Sequence, residues 1–165
     1  MIGYVTFGTN DMARACAFYD ALLATLGAGR FMEAETYVAW AVSPTQPALC
    51  VFKPHDQKPA TVGNGTMVAL VVDSPAKVDA LHRKALELGA KDEGAAGPRG
   101  SGFYAGYFRD PDGNKLNVFC MTWAQGFSKP LANSGRTAGP LRSSSTTSSS
   151  SSARPRSRSP SLSKS

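Results

Sequence analysis

Residues 67–74, Met67-Val-Ala-Leu-Val-Val-Asp-Ser74, decide the reading of the fold. A run rich in β-branched residues ends in Ser74, a residue type that caps helices, and Pro75 suits the first helical position. Val78, Leu81, Ala85 and Leu88 then recur at helical spacing, and Gly89 stops the helix. The same plan stands 63 residues earlier (67 − 4 = 63), where Tyr4-Val-Thr-Phe-Gly-Thr-Asn-Asp11 leads into a second amphipathic helix. Its apolar face is Met12, Ala15, Cys16, Tyr19, Leu22, Leu23 and Leu26, with Asn10 or Asp11 as cap and Gly27 as a left-handed terminator. LLATLGA (22–28) and KALELGA (84–90) are one helix end written twice.

Three β-type runs follow each helix. In the first half they are Arg30–Ala34, Tyr37–Ser43 and Ala48–Lys53; in the second, Lys91–Glu93, Phe103–Arg109 and Lys115–Met121. Asp110-Pro111-Asp112-Gly113 between the last two has the residue order of a type I turn. KPHDQKPATVGNG (53–65) is a loop joining the halves. The class expected is α+β, with duplicated βαβββ modules forming a cupped mixed sheet. Module one covers about 1–55 and module two about 64–122, in a domain of 1–127. Neither module buries both its helix and its sheet face alone, so the two should pack as one domain.

Charge divides the 165 residues sharply. Residues 1–132 hold all 12 acidic and 12 of the 18 basic residues and are neutral (12 − 12 = 0). Residues 133–165 hold the remaining bases, Arg136, Arg142, Arg154, Arg156, Arg158 and Lys164, and no acid. This Ser- and Arg-rich tail has four apolar residues, Ala138, Leu141, Ala153 and Leu162, too few to offset chain entropy, and is expected to be disordered. The N-terminus lacks the basic and apolar regions of a secretory leader. The uncharged stretch Thr36–Phe52 in fact includes Pro44 and Pro47, and is too short to span a membrane. Cys16, Cys50 and Cys120 show no metal-type spacing and are odd in number for a disulfide framework. A reduced, cytoplasmic protein is expected.

TNDMARACAFYDALL (9–23), KPHDQKPATVGNGT (53–66) and YFRDPDGNKLN (107–117), in that order on the repeat, resemble the vicinal oxygen chelate superfamily. This is the glyoxalase/bleomycin-resistance/extradiol-dioxygenase fold, and the match is to its small bacterial glyoxalase-like proteins over about residues 1–122. The resemblance implies a divalent metal in the cup, held by a His on the first strand of each module and a Glu on the last. Here those places fall on Tyr4, Met67 and Asn117, with a fourth at Leu49 or Cys50. A phenol, a thioether, an amide and a thiol or alkyl group do not make such a site, so no metal cofactor is expected. His55 reads as a solvated loop residue and His82 as a partly exposed helix residue.

The resemblance places Tyr4, Met67, Asn117 and Leu49 or Cys50 inside the cup, an apolar floor with a hydroxyl and an amide suited to a small aromatic or amphipathic ligand. Side chains that simply fill the cup as core are the competing reading. Tyr104 and Tyr107 are further pocket candidates. Arg99, in the glycine-rich loop Gly94–Gly102, either pairs with an anionic ligand group or is solvated on an ordinary loop. Cys50, with no His to activate it, reads as a buried thiol.

The function expected is that of a glyoxalase/bleomycin-resistance-like binding protein that holds a small molecule without a metal. A glyoxalase-type lyase or isomerase with a rearranged site is the alternative, and a metal-dependent dioxygenase is disfavoured. A second alternative makes the basic tail a nucleic-acid or partner-binding segment. No aromatic residue interleaves with its bases, which argues against nucleic acid. A homodimer stays open, because two modules can close a cup within one chain or between two.

Overall fold

The computed structural model describes residues 1–122. The expected domain end near Phe127 and the tail at 133–165 lie outside the described residues.

Strand β1 (Tyr4–Gly8) runs into α1 (Met12–Leu23), which ends in a 3-10 turn over Ala24–Leu26. β2 (Gly29–Ala34), β3 (Tyr37–Ala41) and β4 (Ala48–Phe52) complete the first set. β5 (Val68–Val71), α2 (Pro75–Glu87), β6 (Lys91–Pro98), β7 (Phe103–Arg109) and β8 (Lys115–Met121) repeat it. The class is α+β, and each set forms its own four-stranded mixed sheet, ordered β1-β4-β3-β2 and β5-β8-β7-β6. β1 pairs parallel with β4 and β5 with β8; the other pairings are antiparallel. No helix among the described residues is long and apolar enough to cross a membrane.

Local chemistry accounts for most element ends. The Asp11 carboxylate accepts from the Arg14 amide at 3.0 Å and caps α1. Asn10 instead clamps the inter-module loop, its amide exchanging two hydrogen bonds with the Ala60 backbone at 3.0 and 2.7 Å. Gly27 takes φ 74°, the left-handed conformation that releases the chain from the helix. Ser74 stands at the start of α2, yet its hydroxyl makes no capping bond, so the preset φ of Pro75 is the local start signal. β6 does not stop at Glu93. Its register shifts between Asp92 and Gly94 and between Gly94 and Gly97, and these bulges keep an apparently loop-like stretch paired with β7 as far as Pro98.

Both helices bury one face against their sheets in a single core. Tyr19 and Leu22 of α1 and Leu81 of α2 meet Trp40, Phe108 and Leu116 of the strands, all essentially inaccessible. Each such side chain contributes about 1.5–3 kcal/mol on burial. Tyr19 lies at the centre, tilted on Trp40 at 5.6 Å and edge-on to Phe18 at 5.1 Å.

The Asp110–Asn114 turn clasps the two sets together. The Tyr19 hydroxyl donates to Asp110 Oδ2 at 2.7 Å, and the Asn114 amide donates to Asp110 Oδ2 and to the Gly8 carbonyl at 2.9 and 3.1 Å. Asp112 accepts from the Thr9 hydroxyl at 2.7 Å and the Arg14 guanidinium at 2.8 Å. A motif that suits a simple turn therefore also holds the β1–α1 junction. The helices pack on one side of each sheet, and the opposite faces, called open here because no helix covers them, sort the site candidates.

Candidate functional site

Strand alternation divides the candidates between the two faces. On β4, Leu49 and Val51 join the helix-side core, whereas Cys50 turns the other way, opposite Thr6 of β1 and Ala39 of β3. Of the pair Leu49 or Cys50, only Cys50 is on the open face; Leu49 lies in the helix-side core. On β7, Phe108 is core and the Tyr104 hydroxyl donates to Asp79 of α2 at 2.9 Å, so Tyr104 also belongs to the helix side. Phe103, Ala105, Tyr107 and Arg109 therefore face outward, as do Lys115, Asn117, Phe119 and Met121 of β8.

Tyr4 and Met67 come together. They are 65% and 43% exposed and line a cavity of about 520 Å³ between β1 and β5, with Lys115 at its edge. Asn117 lies on the adjoining strand, opposite Ala69 of β5 and Tyr107 of β7. It is only 2% exposed, and its Oδ1 is buried without a hydrogen-bond partner. An unpaired buried amide oxygen costs about 1–3 kcal/mol, and none of the described residues donates to this one.

Charge gathers beside it. Arg109 and Lys115 are direct cross-strand neighbours and share Glu93: Arg109 Nε meets one carboxylate oxygen at 2.6 Å and Lys115 Nζ the other at 3.0 Å. Their hydrogen bonds, that of Arg109 foremost, hold the Glu93 carboxyl below its usual range. The Tyr107 ring has the Arg99 guanidinium at 5.6 Å and the Lys115 ammonium at 5.9 Å. The Arg99 guanidinium is held there by the Ala95 and Pro98 carbonyls, to which it donates at 2.5 and 3.4 Å. Sequence reasoning missed Glu93, Arg109 and Lys115. The signal was there for two of them, since Arg109 and Lys115 share the two-residue period of Tyr107 and Asn117 on either side of the turn.

Nucleophilic and metal chemistry fit poorly. Burial pushes the Cys50 thiol up, away from thiolate. His82 is buried on the helix side, its ring 3.2 Å from both the Tyr107 carbonyl and Asp92. It is not partly exposed as expected, because Gly106 leaves room for its ring. His55 lines a separate cavity of about 730 Å³ with Lys53 and Gln57. Tyr4, Met67, Cys50 and Asn117 do not supply the imidazole and carboxylate donors that suit a divalent metal. Among the described residues, no group of three His, Cys, Asp or Glu could hold one.

Comparison with known proteins agrees with this architecture. The profile of the Glyoxalase/Bleomycin resistance protein/Dioxygenase superfamily matches residues 1–118. A glyoxalase/bleomycin resistance protein from Albidiferax ferrireducens T118 is 32% identical, with a TM-score of 0.67 over 73% of this chain and 98% of that one. A lactoylglutathione lyase from Agrobacterium tumefaciens, 20% identical, shares the fold with a TM-score of 0.56 over 74% and 95% of the two chains. The search of the curated proteins finds no match. The repeat, the paired mixed sheets and the profile match over most of the described residues converge: the chain belongs to the Glyoxalase/Bleomycin resistance protein/Dioxygenase superfamily.

Proposed function

We propose that the open face binds a small amphipathic molecule without a divalent metal, and that the protein holds or sequesters this molecule in a reduced, cytoplasmic setting. The observation that carries the proposal is the buried, unpartnered Oδ1 of Asn117, two residues along β8 from Lys115, which lines the cavity with Tyr4 and Met67. A ligand group donating to that oxygen would recover the hydrogen bond the fold leaves unmade. Binding is favoured over turnover because Cys50, the nucleophile on this face, is driven toward its protonated form.

The test is thermal melting of the full chain with a panel of small aromatic acids and thiol conjugates, with and without chelator, in wild type and Asn117→Val. At least one compound is expected to raise the wild-type Tm, by an amount that chelator leaves unchanged. Asn117→Val should melt no lower than wild type, because it removes an unpaired polar group, yet should lose the ligand shift. Stabilisation that requires added divalent metal, or a full ligand shift in Asn117→Val, contradicts the proposal.

A further inference from the structure

The open face of the second set is graded along its strands. At the turn end stand Arg109 and Lys115, with Lys91 paired to Arg109 from β6. Two residues along come Tyr107 and Asn117, and then Ala105 with Phe119 and Phe103 with Met121. Each step is ~7 Å at the rise of a β-strand. The Phe103 and Phe119 rings lie 5.2 Å apart and make the far end aromatic. This face holds four cations, Lys91, Arg99, Arg109 and Lys115, and one carboxylate, Glu93, which pairs with Arg109 and Lys115, for a net charge of +3 (4 − 1).

The neighbouring carboxylates are turned elsewhere. Asp112 is bonded to Arg14 and Thr9, Asp110 to Tyr19 and Asn114, and Asp92 lies on the helix side by His82. The matching face of the first set presents Tyr4, Thr6, Cys50 and Phe52 along β1 and β4, with no charge among them.

We infer that the molecule bound here is an organic anion, with its acidic group toward Lys115 and Arg109, a polar group toward Asn117 and an aromatic body against the Tyr107 and Phe119 rings. The inference rests on the binding role proposed above and adds the chemical class and direction of the ligand. A single carboxylate cannot neutralise four cations, and both Glu93 oxygens are already engaged, so a second carboxylate supplied by a ligand meets an unbalanced positive field. The Arg99 guanidinium, held by the Ala95 and Pro98 carbonyls and 5.6 Å from the centre of the Tyr107 ring, adds to this field. A cation would meet the same field as repulsion, and a neutral molecule would gain nothing from it.

Three indoles of one shape and different charge test this by calorimetric titration of the full chain. They are indole-3-acetate, the neutral indole-3-acetamide and the cationic tryptamine. The acid is expected to bind about tenfold more tightly than the amide, with tryptamine weakest. Raising the salt concentration should narrow the acid's advantage. Lys115→Gln should reduce the advantage severalfold, Lys115→Arg should restore it, and Glu93→Gln, which removes the one negative group, should enlarge it. Melting of each variant separates lost binding from lost fold. Amide or amine binding as tightly as the acid, with Glu93→Gln unchanged, overturns the anionic class and leaves the binding role standing. If none of the three binds at millimolar concentration, both fall.

Discussion

Cys50 and Asn117 occupy matching places in the two modules. Each stands on the strand that pairs parallel with its module's first strand: Cys50 between Thr6 and Ala39, Asn117 between Ala69 and Tyr107. The first place buries a thiol among small uncharged neighbours. The second buries an amide oxygen that nothing satisfies, next to an aromatic ring flanked by two cations. The turns between the last two strands differ in the same way. In the first module the Ser43 and Thr45 hydroxyls bond each other at 3.3 Å, while in the second Asp110, Asp112 and Asn114 reach across to the other module. A repeated backbone dictates where side chains stand, and each copy is then free to use its places differently. The second module carries both the clasp and the charged face.

The clasp gives the largest expected effect. Asp110→Ala leaves the buried Tyr19 hydroxyl and the Asn114 amide without their shared acceptor, and should lower the unfolding free energy by about 3 kcal/mol. Ser43→Ala, in the corresponding turn of the first module, removes only an exposed hydroxyl contact and should change it by less than about 0.5 kcal/mol. Urea unfolding of both variants measures the difference. Equal midpoints would mean that the second module's turn is no more than a turn.

Next in size is the fit of each helix on its sheet. Val38 of β3 pairs with Val51, as Gly106 of β7 pairs with Val118, and the valine has room for its side chain. At Gly106 an added Cβ would stand 2.7 Å from His82 Cδ2 and 2.9 Å from Cγ, inside van der Waals distance of a buried ring. Gly106→Ala should therefore destabilise by about 1–3 kcal/mol through overpacking. A neutral result in the same urea assay would show that His82 moves freely and that the glycine is not required.

How much of this was legible depends on the range of the signal. Period-two alternation placed Tyr4, Met67 and their neighbours on one face, and the apolar helix stripes became the shared core, because both patterns are local. Alternation also separates Tyr104 from Tyr107 and Leu49 from Cys50, but only once a pairing partner fixes which parity faces the helices. The extension of β6 was hidden because Gly94 and Gly97 read as loop residues, and bulges leave no pattern of period two. The clasp was least legible. Nothing near Asp110 in the chain announces that Tyr19, 91 residues away, donates to it. The missing pair on Asn117 is likewise a property of packing, not of residue type.

The smallest expected effect is in titration, where one carboxylate of each module is shifted in opposite directions. In the first module, Asp20 is held below the usual range chiefly by its bond to Arg30, aided by the Trp40 indole. In the second, burial pushes Asp110 above it, outweighing the bonds from Asn114 and Tyr19. The unfolded reference for both is about 3.9. A lowered folded pKa means that Asp20 contributes stability above the unfolded value, and this is lost as pH falls through its depressed folded value. A raised one means that folded Asp110 binds its proton more readily than the unfolded chain. Its contribution thus improves as pH falls through the raised folded value toward about 3.9, and worsens as pH climbs back. Carboxyl-carbon NMR should find Asp110 titrating above the ordinary value and Asp20 below it, and Arg30→Gln should bring only Asp20 back up. The Asp110 contribution changes above about 3.9 and the Asp20 contribution below it, with opposite signs, so the whole protein's acid stability blurs the two. Only residue-resolved titration separates a carboxylate held by a surface arginine from one enclosed in the clasp. Asp110 titrating below Asp20 would mean that its hydrogen bonds, and not its burial, set the energetics of that turn.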